Sequence, residues 1–342
     1  MKFAGSWIMA LCLGLGPVGA HELGITSDGA FFTIDGEPAF LSGISYYAGT
    51  SVDSPGALIG DLDQMKGYGL NWIRVWTFWS VQGTNYGVTT EEGVVREPYM
   101  TRLKTIITEC DRRGMIVDVT MHRGKSGPPS NQAQHLKCAR TLARELLLYR
   151  NVYIDIANEC DVGDARHVGH VEVGELIAAI KKIDPDRLCT ASAAPGSQKD
   201  LDKYLTIGKC DFICPHLRRD ARAAAETFAT VGKFIKWMDK LGKRVPIHLQ
   251  EPFRRDYSRG WQPVQEDYFQ DATGGKSAGA AGWCLHNGSN NFSDNERPFR
   301  SFLMTRTEGR LFSQWDAVEK EVAREVGGRI GGTGVHQDRS DE

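Results

Sequence analysis

The stretch Val152-Tyr-Ile-Asp-Ile-Ala-Asn158-Glu159 is a short run of β-forming, mostly apolar residues that ends in a polar pair. A second run of this kind, Val245-Pro-Ile-His-Leu-Gln250-Glu251, also ends in a carboxylate. In a barrel of parallel strands, the residues just beyond the strand ends point into one shared mouth, where catalytic groups lie. The two stretches therefore predict a barrel in which Glu159 and Glu251 face each other.

Outward from these stretches, strand patterns alternate with helix patterns along the chain. We expect strands at 40–46, 71–76, 115–120, 152–159, 187–192, 211–215, 245–251 and 279–285. We expect helices at 55–67, 99–113, 132–148, 170–183, 199–207, 221–241, 264–273 and 312–326. This pattern predicts an α/β fold, a single (β/α)8 TIM barrel, with a small N-terminal hairpin over residues 31–38 that covers the barrel floor. A doubly wound sheet is the competing architecture, but no Gly-x-Gly-x-x-Gly turn follows an early strand.

The first residues have the pattern of a secretory signal. Lys2 precedes an apolar run, and Val18-Gly19-Ala20 provides small residues before His21. An uncleaved anchor is the alternative, but the run is shorter than the ~20 residues that a membrane span needs. We therefore expect a signal peptide over 1–20, a catalytic domain over 21–326, a flexible C-terminal tail over 327–342, and a secreted or periplasmic protein.

Composition narrows the classes of partner. The formal net charge of −2 over 342 residues argues against nucleic acid or an anionic membrane as the main partner. Cys12 falls in the signal segment and leaves an odd number of cysteines, among which Cys110 and Cys138, on consecutive predicted helices, are the most plausible disulfide. No cysteine or histidine pair has zinc spacing, so we expect no metal and no cofactor. The sequence does not predict an oligomeric state.

Six segments of the chain, taken together and in their order along it, carry a family resemblance. They are Ile34-Asp-Gly-Glu-Pro-Ala-Phe-Leu-Ser-Gly43, Asn71-Trp-Ile-Arg74-Val, Val117-Asp-Val-Thr-Met-His122, Ile154-Asp-Ile-Ala-Asn158-Glu159, Pro246-Ile-His-Leu-Gln-Glu251 and Gly282-Trp283. In these segments the chain resembles the clan A glycoside hydrolases, and most of all the cellulase-type family 5. One difference is visible: members commonly carry a tyrosine on the sixth-strand loop that bonds the nucleophile, whereas here His216 is followed by Leu217, Arg218 and Arg219.

The resemblance implies a retaining hydrolase that cleaves β-linked sugars of a poly- or oligosaccharide, and the signal pattern implies that it is secreted. Glu159 would be the general acid/base and Glu251 the nucleophile, with their carboxyl groups ~5–5.5 Å apart. The acid should lie where burial or the neighbouring carboxylate raises its pKa, and the nucleophile should lie near a cation, for which Arg74 is the candidate. The alternative is that both carboxylates are ordinary loop residues.

Further residues follow from the same resemblance. Asn158 would bond the sugar 2-hydroxyl, and Trp283 would form an aromatic floor under the cleaved sugar, unless it is a barrel-core tryptophan. His122 and His216 follow strands three and six and would orient the substrate or the carboxylates, although a lone histidine is often a satisfied core residue. Four aromatic residues could line neighbouring sugar sites, with packing in the core as the alternative: Trp76, Trp79, Tyr46 and Tyr47.

Two questions stay open at this point. Arg123, Arg218, Arg219, Arg254 and Arg255 follow strand ends, so the mouth could accept an acidic sugar. We favour the alternative that these arginines pair with loop aspartates, namely Asp161, Asp164, Asp220 and Asp256. A non-catalytic carbohydrate-binding barrel and a transglycosylase that uses the same residues are the alternative functions.

Overall fold

A ring of parallel strands surrounded by helices forms the fold. The computed structural model describes residues 20–81, 83–124, 129–258, 260–288, 299–304 and 310–330. The strands are β1 (Leu23–Ile25), β2 (Phe32–Ile34), β3 (Glu37–Ala39), β4 (Leu41–Ser45), β5 (Trp72–Trp76), β6 (Ser80–Val81), β7 (Thr84–Asn85), β8 (Ile116–Thr120), β9 (Val152–Asp155), β10 (Cys189–Thr190), β11 (His248–Leu249) and β12 (Gly282–Leu285). The helices are α1 (Pro55–Gly67), α2 (Tyr99–Asp111), α3 (Gln132–Glu145), α4 (His170–Lys181), α5 (Gln198–Thr206), α6 (Ala223–Leu241), α7 (Gln265–Ser277) and α8 (Ala317–Ile330).

The parallel strands close into a barrel. Seven of them pair in the order β10-β9-β8-β5-β4-β12-β11. At the sixth barrel position the predicted strand is reduced to two isolated parallel bridges, Ala193 with Pro215 and Ile213 with Ile247, which connect the two ends of the sheet. The predicted (β/α)8 barrel is therefore confirmed.

A small antiparallel sheet covers the barrel floor. β2 and β3 form the predicted hairpin, and β1 adds a third strand on the other side of β2. Phe32 is fully buried, and its ring meets the edge of Phe212 at 5.0 Å between centroids. The floor is thus filled by apolar side chains, and the opposite end of the barrel stays open for a site.

Alternation along each barrel strand separates two cores. Within β5, Trp72 packs inside the barrel, whereas Ile73 and Val75 belong to the larger core between strands and helices. Successive side chains of a strand point to opposite faces, so Arg74, two residues after Trp72, also points inward. This alternation decides which side chains reach the mouth.

Two details differ from the sequence predictions. The Cys110–Cys138 disulfide is wrong: both thiols are free and buried, and Cys138 Sγ donates to the carbonyl oxygen of Thr90. Helix α8 continues to Ile330, beyond its predicted end at 326. The predicted signal segment up to residue 19 and the tail from residue 331 lie outside the described residues. No described helix is long and apolar enough to cross a bilayer.

Candidate active site

A buried arginine forms the base of the mouth. Arg74, on β5, is fully buried and donates from Nε to Thr120 Oγ1 at 2.8 Å and from Nη2 to Asp155 Oδ2 at 3.0 Å. It also donates from Nη2 to Asn158 Oδ1 at 2.8 Å and from Nη1 to Glu251 Oε1. Arg74 therefore fixes two of the residues that follow strand ends.

Glu251 follows β11 and is surrounded by nitrogen atoms. Its Oε2 accepts from Arg219 Nη2 at 2.7 Å and lies 3.8 Å from His216 Nδ1 and 3.7 Å from His286 Nε2. Burial alone would raise the pKa of this carboxyl, but His216, Arg74 and Arg219 outweigh burial and hold the pKa well below its ordinary value. Glu251 is therefore ionised at neutral pH, as a nucleophile must be.

Glu159 lies in the turn after β9 and has a left-handed backbone conformation, with φ of 49°. Its side chain contacts Arg166 Nη1 through Oε2, while Oε1 lies 3.5 Å from His216 Nδ1 and 3.6 Å from Arg219 Nη2. Burial and the charge of Glu251 raise the pKa of Glu159, but His216 and Arg219 together lower it below its ordinary value. The expectation of a raised pKa is therefore wrong for the free protein, because these nitrogen groups outweigh burial.

The two carboxylates are close enough to act on one bond. Glu159, His216 and Glu251 each place one side-chain oxygen or nitrogen within 4.8 Å of the others. Retaining enzymes hold the two carboxyl groups ~5–5.5 Å apart and inverting ones ~6.5–9.5 Å apart, so this closeness of the nearest side-chain atoms favours the retaining arrangement. The same three groups could hold a divalent cation, but the charges of Arg74 and Arg219 on Glu251 disfavour it.

These groups border a cavity of about 370 Å³ at the barrel mouth. Its lining residues are Tyr47, Trp76, Trp79, His122, Asn158, Glu159, Arg166, Arg219, Glu251, Arg254, Tyr257 and Phe302. The ring of Tyr47 stacks on Trp79 at 6.2 Å and meets Trp76 edge-on at 5.1 Å between centroids. A lining that combines aromatic rings with charged groups suits a sugar, which has both apolar C–H faces and hydroxyl groups.

Two lining nitrogens have unused hydrogen-bonding capacity. Trp76 Nε1 and His122 Nδ1 are buried and have no hydrogen-bond partner among the described residues. Burial, together with the charges of Arg166 and Arg74, lowers the pKa of His122 to about 4, so this ring is neutral at neutral pH. Both rings line the cavity, although these two nitrogen atoms are themselves buried.

Most sequence-predicted site residues gather at this mouth. Glu159, Glu251, Asn158, His122, Trp76 and Trp79 line the cavity, Arg74 lies beneath it, and His216 reaches both carboxylates. Asn158 Oδ1 accepts from Arg74 and Ser192 Oγ, so it is fixed by the barrel whatever it binds. The catalytic and binding roles given to these residues stay predictions.

Tyr46 and Trp283 were placed in the site wrongly. Tyr46 OH donates to Asp61 on α1 at 3.1 Å, and Trp283 Nε1 donates to Asp271 on α7 at 2.7 Å. Both side chains are fully buried between the barrel and the helices. The reason is strand alternation, because each lies one residue away from an inward-facing position.

Several site residues were missed or underrated. His286 follows the inward-facing Cys284 by two residues, so the alternation of β12 would have placed it at the mouth. Arg166, Tyr257 and Phe302 lie outside the barrel strands, where no periodic pattern predicts side-chain direction. They could be found only from the fold.

The five arginines that were expected at the mouth because they follow strand ends divide into two groups. Arg123 pairs with Glu172, Arg218 with Asp220 and Glu226, and Arg255 with Asp316. These three follow the favoured alternative of local ion pairs, although only one partner belongs to the aspartates that were expected. Arg219 and Arg254 instead line the cavity.

A barrel whose open end carries two paired carboxylates defines the class of the clan A glycoside hydrolases. The family model "Cellulase (glycosyl hydrolase family 5)" matches residues 34–209, which is half of the chain. The chain belongs to glycosyl hydrolase family 5 and is a glycoside hydrolase. No curated protein sequence matches it.

Solved structures share the fold at low sequence identity. A family 5 mannosidase from Rhizomucor miehei is similar with a TM-score of 0.64 and 15% identity, over 90% of this chain and 97% of that one. An endo-1,4-β-D-mannanase from Thermotoga petrophila is similar with a TM-score of 0.57 and 16% identity, over 85% and 99% of the two chains. A structure described as a glycoside hydrolase has a TM-score of 0.65 and 16% identity, over 90% and 72%.

Proposed function

We propose that the protein is an exported, retaining glycosidase that cleaves β-linked sugars, with Glu251 as nucleophile and Glu159 as general acid/base. The observation that carries this proposal is the spacing of the two carboxylates, within 4.8 Å between side-chain atoms. This closeness favours direct attack by Glu251 over attack by a water molecule, for which the two carboxyl groups lie ~6.5–9.5 Å apart. The signal pattern at residues 1–20 supports export.

In the first step, the Glu251 carboxylate attacks the anomeric carbon while protonated Glu159 gives its proton to the departing oxygen. The products are a glycosyl ester on Glu251 and an alcohol. In the second step, ionised Glu159 takes a proton from water, whose oxygen displaces Glu251 from the sugar. Arg74 and Arg219 keep Glu251 ionised before attack, and Asn158, which lines the cavity, would bond the sugar 2-hydroxyl.

The test separates the two carboxylates. Aryl β-mannosides and β-glucosides are suitable first probes, since mannosidases and mannanases are among the structurally similar proteins. A 2-deoxy-2-fluoro glycoside should label the wild-type protein on the peptide that contains Glu251, as read by mass spectrometry. Glu159→Gln should lower turnover of substrates with poor leaving groups by about 10²–10⁴-fold, and much less for dinitrophenyl glycosides, which need no acid.

Two outcomes would reject the assignment. Label on another residue would remove Glu251 as nucleophile, and inversion of the anomeric configuration in the first product, followed by NMR, would exclude the double displacement. A purely carbohydrate-binding barrel would show equal signals for wild type and Glu251→Gln. Addition of a competing sugar acceptor would reveal transglycosylation as a new product.

A further inference from the structure

A chain of hydrogen bonds runs inside the barrel from its floor to the site. Trp72 Nε1 donates to Tyr153 OH at 3.1 Å, and Tyr153 OH donates to Asp118 Oδ2 at 3.0 Å. The same Asp118 oxygen accepts from Gln250 Nε2. At the other end of its amide, Gln250 Oε1 lies 3.3 Å from His216 Nε2. We call Trp72, Tyr153, Asp118, Gln250 and His216 the polar chain.

The orientation of the Gln250 amide is fixed by a second neighbour, Asp155. Gln250 is fully buried, and its Nε2 also donates to Asp155 Oδ2 at 3.3 Å. The two oxygens of Asp155 accept from Arg74 Nη2 at 3.0 Å and from the backbone N–H of Ser192 at 3.1 Å. A guanidinium and a backbone N–H can only donate, so Asp155 acts as an acceptor. The amide nitrogen of Gln250 must therefore face Asp155, and the amide oxygen must face His216.

This orientation decides which nitrogen of His216 carries the hydrogen. The amide oxygen of Gln250 is an acceptor, so His216 Nε2 must be the N–H that donates to it. In the neutral ring the lone pair then lies on Nδ1, which is buried and has no hydrogen-bond partner among the described residues. Nδ1 lies 3.5 Å from Glu159 Oε1 and 3.8 Å from Glu251 Oε2. The ring nitrogen that can still gain a proton thus faces both carboxylates.

Glu159 is the better partner for that nitrogen. Glu251 already accepts from Arg74 and from Arg219, and it is the more distant of the two carboxylates. An ionised carboxylate only accepts hydrogen bonds, and a bare Nδ1 does the same. The contact of His216 with Glu159 therefore becomes a hydrogen bond only when a proton is added, either to Nδ1 or to Glu159.

The proposed reaction needs a proton at this place. Burial raises the pKa of Glu159, but His216 and Arg219 lower it below its ordinary value, so the carboxylate is ionised in the free protein at neutral pH. The first step nevertheless requires a protonated Glu159. A proton kept on the neighbouring ring satisfies both conditions.

We propose that Gln250 is a positioning residue that acts through His216: it keeps a hydrogen on Nε2, so that Nδ1 can pass one proton to Glu159 and take it back. In the first step the proton moves from the imidazolium to ionised Glu159, which gives it to the departing oxygen and is ionised again. In the second step Glu159 takes a proton from water and returns it to Nδ1, which restores the imidazolium. The inference rests on the proposed function, because it deepens the role of the acid/base.

The position of the hydrogen on His216 can be read in the wild-type protein without any mutation. In protein with ¹⁵N-labelled histidine, two-dimensional ¹H–¹⁵N spectra of the imidazole rings distinguish a hydrogen on Nε2 from one on Nδ1. We expect the neutral ring of His216 to carry its hydrogen on Nε2. The signals of His216 are identified by their absence from His216→Asn. A neutral ring with a bare Nε2 and a hydrogen on Nδ1 overturns the proposal.

Kinetics of Gln250→Met test the effect on acid catalysis. Methionine keeps the length of the side chain but does not fix the ring. We expect kcat/KM to fall about tenfold for aryl glycosides with poor leaving groups, as for one lost hydrogen bond, and much less for dinitrophenyl glycosides, which need no acid. Equal loss for both leaving groups would mean that Gln250 only supports the structure of the site, which contradicts the inference.

Tyr153→Phe is the matched control. It removes another donor to the same oxygen of Asp118, at the floor end of the polar chain. This variant should leave the ratio of kcat/KM between poor and good leaving groups as in wild type. A ratio changed as much as in Gln250→Met would show that any loosening of Asp118 has the same effect, and it would reject a specific role of Gln250.

A double variant tests whether Gln250 acts through His216. Asparagine at position 216 cannot take up and return a proton, so His216→Asn should itself slow the substrates with poor leaving groups. If Gln250 only fixes the ring, Gln250→Met should add little to the loss in His216→Asn, so the two effects should not multiply. Effects that multiply would show that Gln250 acts by another route and would contradict the inference.

Failure of this inference differs from failure of the proposed function. Acid-dependent hydrolysis that is lost in Glu159→Gln but unchanged in Gln250→Met rejects the inference alone. No hydrolysis of any glycoside by the wild type rejects the proposed catalysis. In that case the wild-type spectra still decide whether Gln250 holds the hydrogen of His216 on Nε2.

Discussion

At the residue scale, the backbone of Glu159 is strained, and this strain lowers the stability of the folded protein. A φ of 49° is the left-handed conformation, which L-residues other than glycine, asparagine and aspartate rarely adopt. The turn after β9 is fixed because Asn158 N donates to the carbonyl oxygen of Met121 and Val162 N donates to that of Glu159. Strain of this kind persists where the surroundings fix the geometry, and it often marks functional positions.

A comparison of two variants measures this strain. Glu159→Gly and Glu159→Ala both delete the carboxylate and should both lose acid catalysis. The glycine variant should nevertheless be more stable than the alanine variant by about 1 kcal/mol, because glycine alone adopts this φ without steric cost. Urea unfolding of the two proteins gives the difference. An alanine variant as stable as the glycine variant, or more so, would show that the turn relaxes.

Arg219 is expected to set the pH range of activity, because it contacts both carboxylates. It lowers the pKa of Glu251 and of Glu159, so both limbs of the kcat/KM profile should lie on the acid side of neutrality in wild type. Removing its charge in Arg219→Met raises both pKa values, and both limbs should move to higher pH. A uniform loss of rate with unchanged limbs would mean that Arg219 only packs. Arg218→Met provides the control profile.

At the element scale, the barrel strands explain both the successes and the errors of sequence reasoning. The residues at the ends of β9 and β11 were located correctly because a strand followed by a polar residue is visible in the sequence. Tyr46 and Trp283 were misplaced because an error of one residue moves a side chain to the opposite face. Arg166 and Tyr257 were missed because loop conformation depends on tertiary contacts that no periodicity records. The sixth strand was overestimated, since only Ile213 and Pro215 make bridges there.

Trp283 offers a test of the corrected placement. Its indole donates to Asp271, whose pKa is raised to about 6 by burial, although Thr227 and Trp283 lower it. Trp283→Phe leaves Asp271 Oδ2 without its hydrogen-bond donor. This variant should lower the free energy of unfolding by about 1–3 kcal/mol at neutral pH. Because Trp283 lies in the core, kcat and KM of the variant should change little. A strong rise in KM would instead mean that Trp283 contacts the sugar.

The same variant should show a signed pH dependence. The folded-state pKa of Asp271 lies above the unfolded value of 3.8, so its contribution to stability decreases as pH rises between the two. The indole bond favours the charged form, and its loss in Trp283→Phe raises the pKa further. The deficit of the variant should therefore be larger at pH 8 than at pH 5, as measured by urea unfolding at both values. An equal deficit at both pH values would indicate lost packing alone.

At the scale of the whole molecule, the two ends of the barrel have different tasks. The floor is closed by the β1–β3 sheet and by aromatic packing of Phe32, Phe212 and Tyr153. The mouth carries the charged groups, which are held from beneath by Arg74 and its carboxylate partners. Stability and chemistry are thus separated along one axis, and changes at the floor should affect unfolding without affecting the pH profile of the site.

The described part of the chain also holds its cysteines as thiols. Cys110, Cys138, Cys160, Cys189, Cys210, Cys214 and Cys284 are all free and buried. Burial raises the pKa of Cys110 and Cys189, which disfavours the reactive thiolate.

A protein expressed from His21 onward should therefore resist alkylation when folded and gain a label at each of these seven positions once unfolded in denaturant. Its melting temperature should be unchanged by dithiothreitol, since no cross-link constrains the unfolded chain. A fall in melting temperature on reduction would show that a disulfide forms after all. Fewer labels in the unfolded, unreduced protein would show the same. Loss of either effect in Cys110→Ser would then identify the disulfide as Cys110–Cys138.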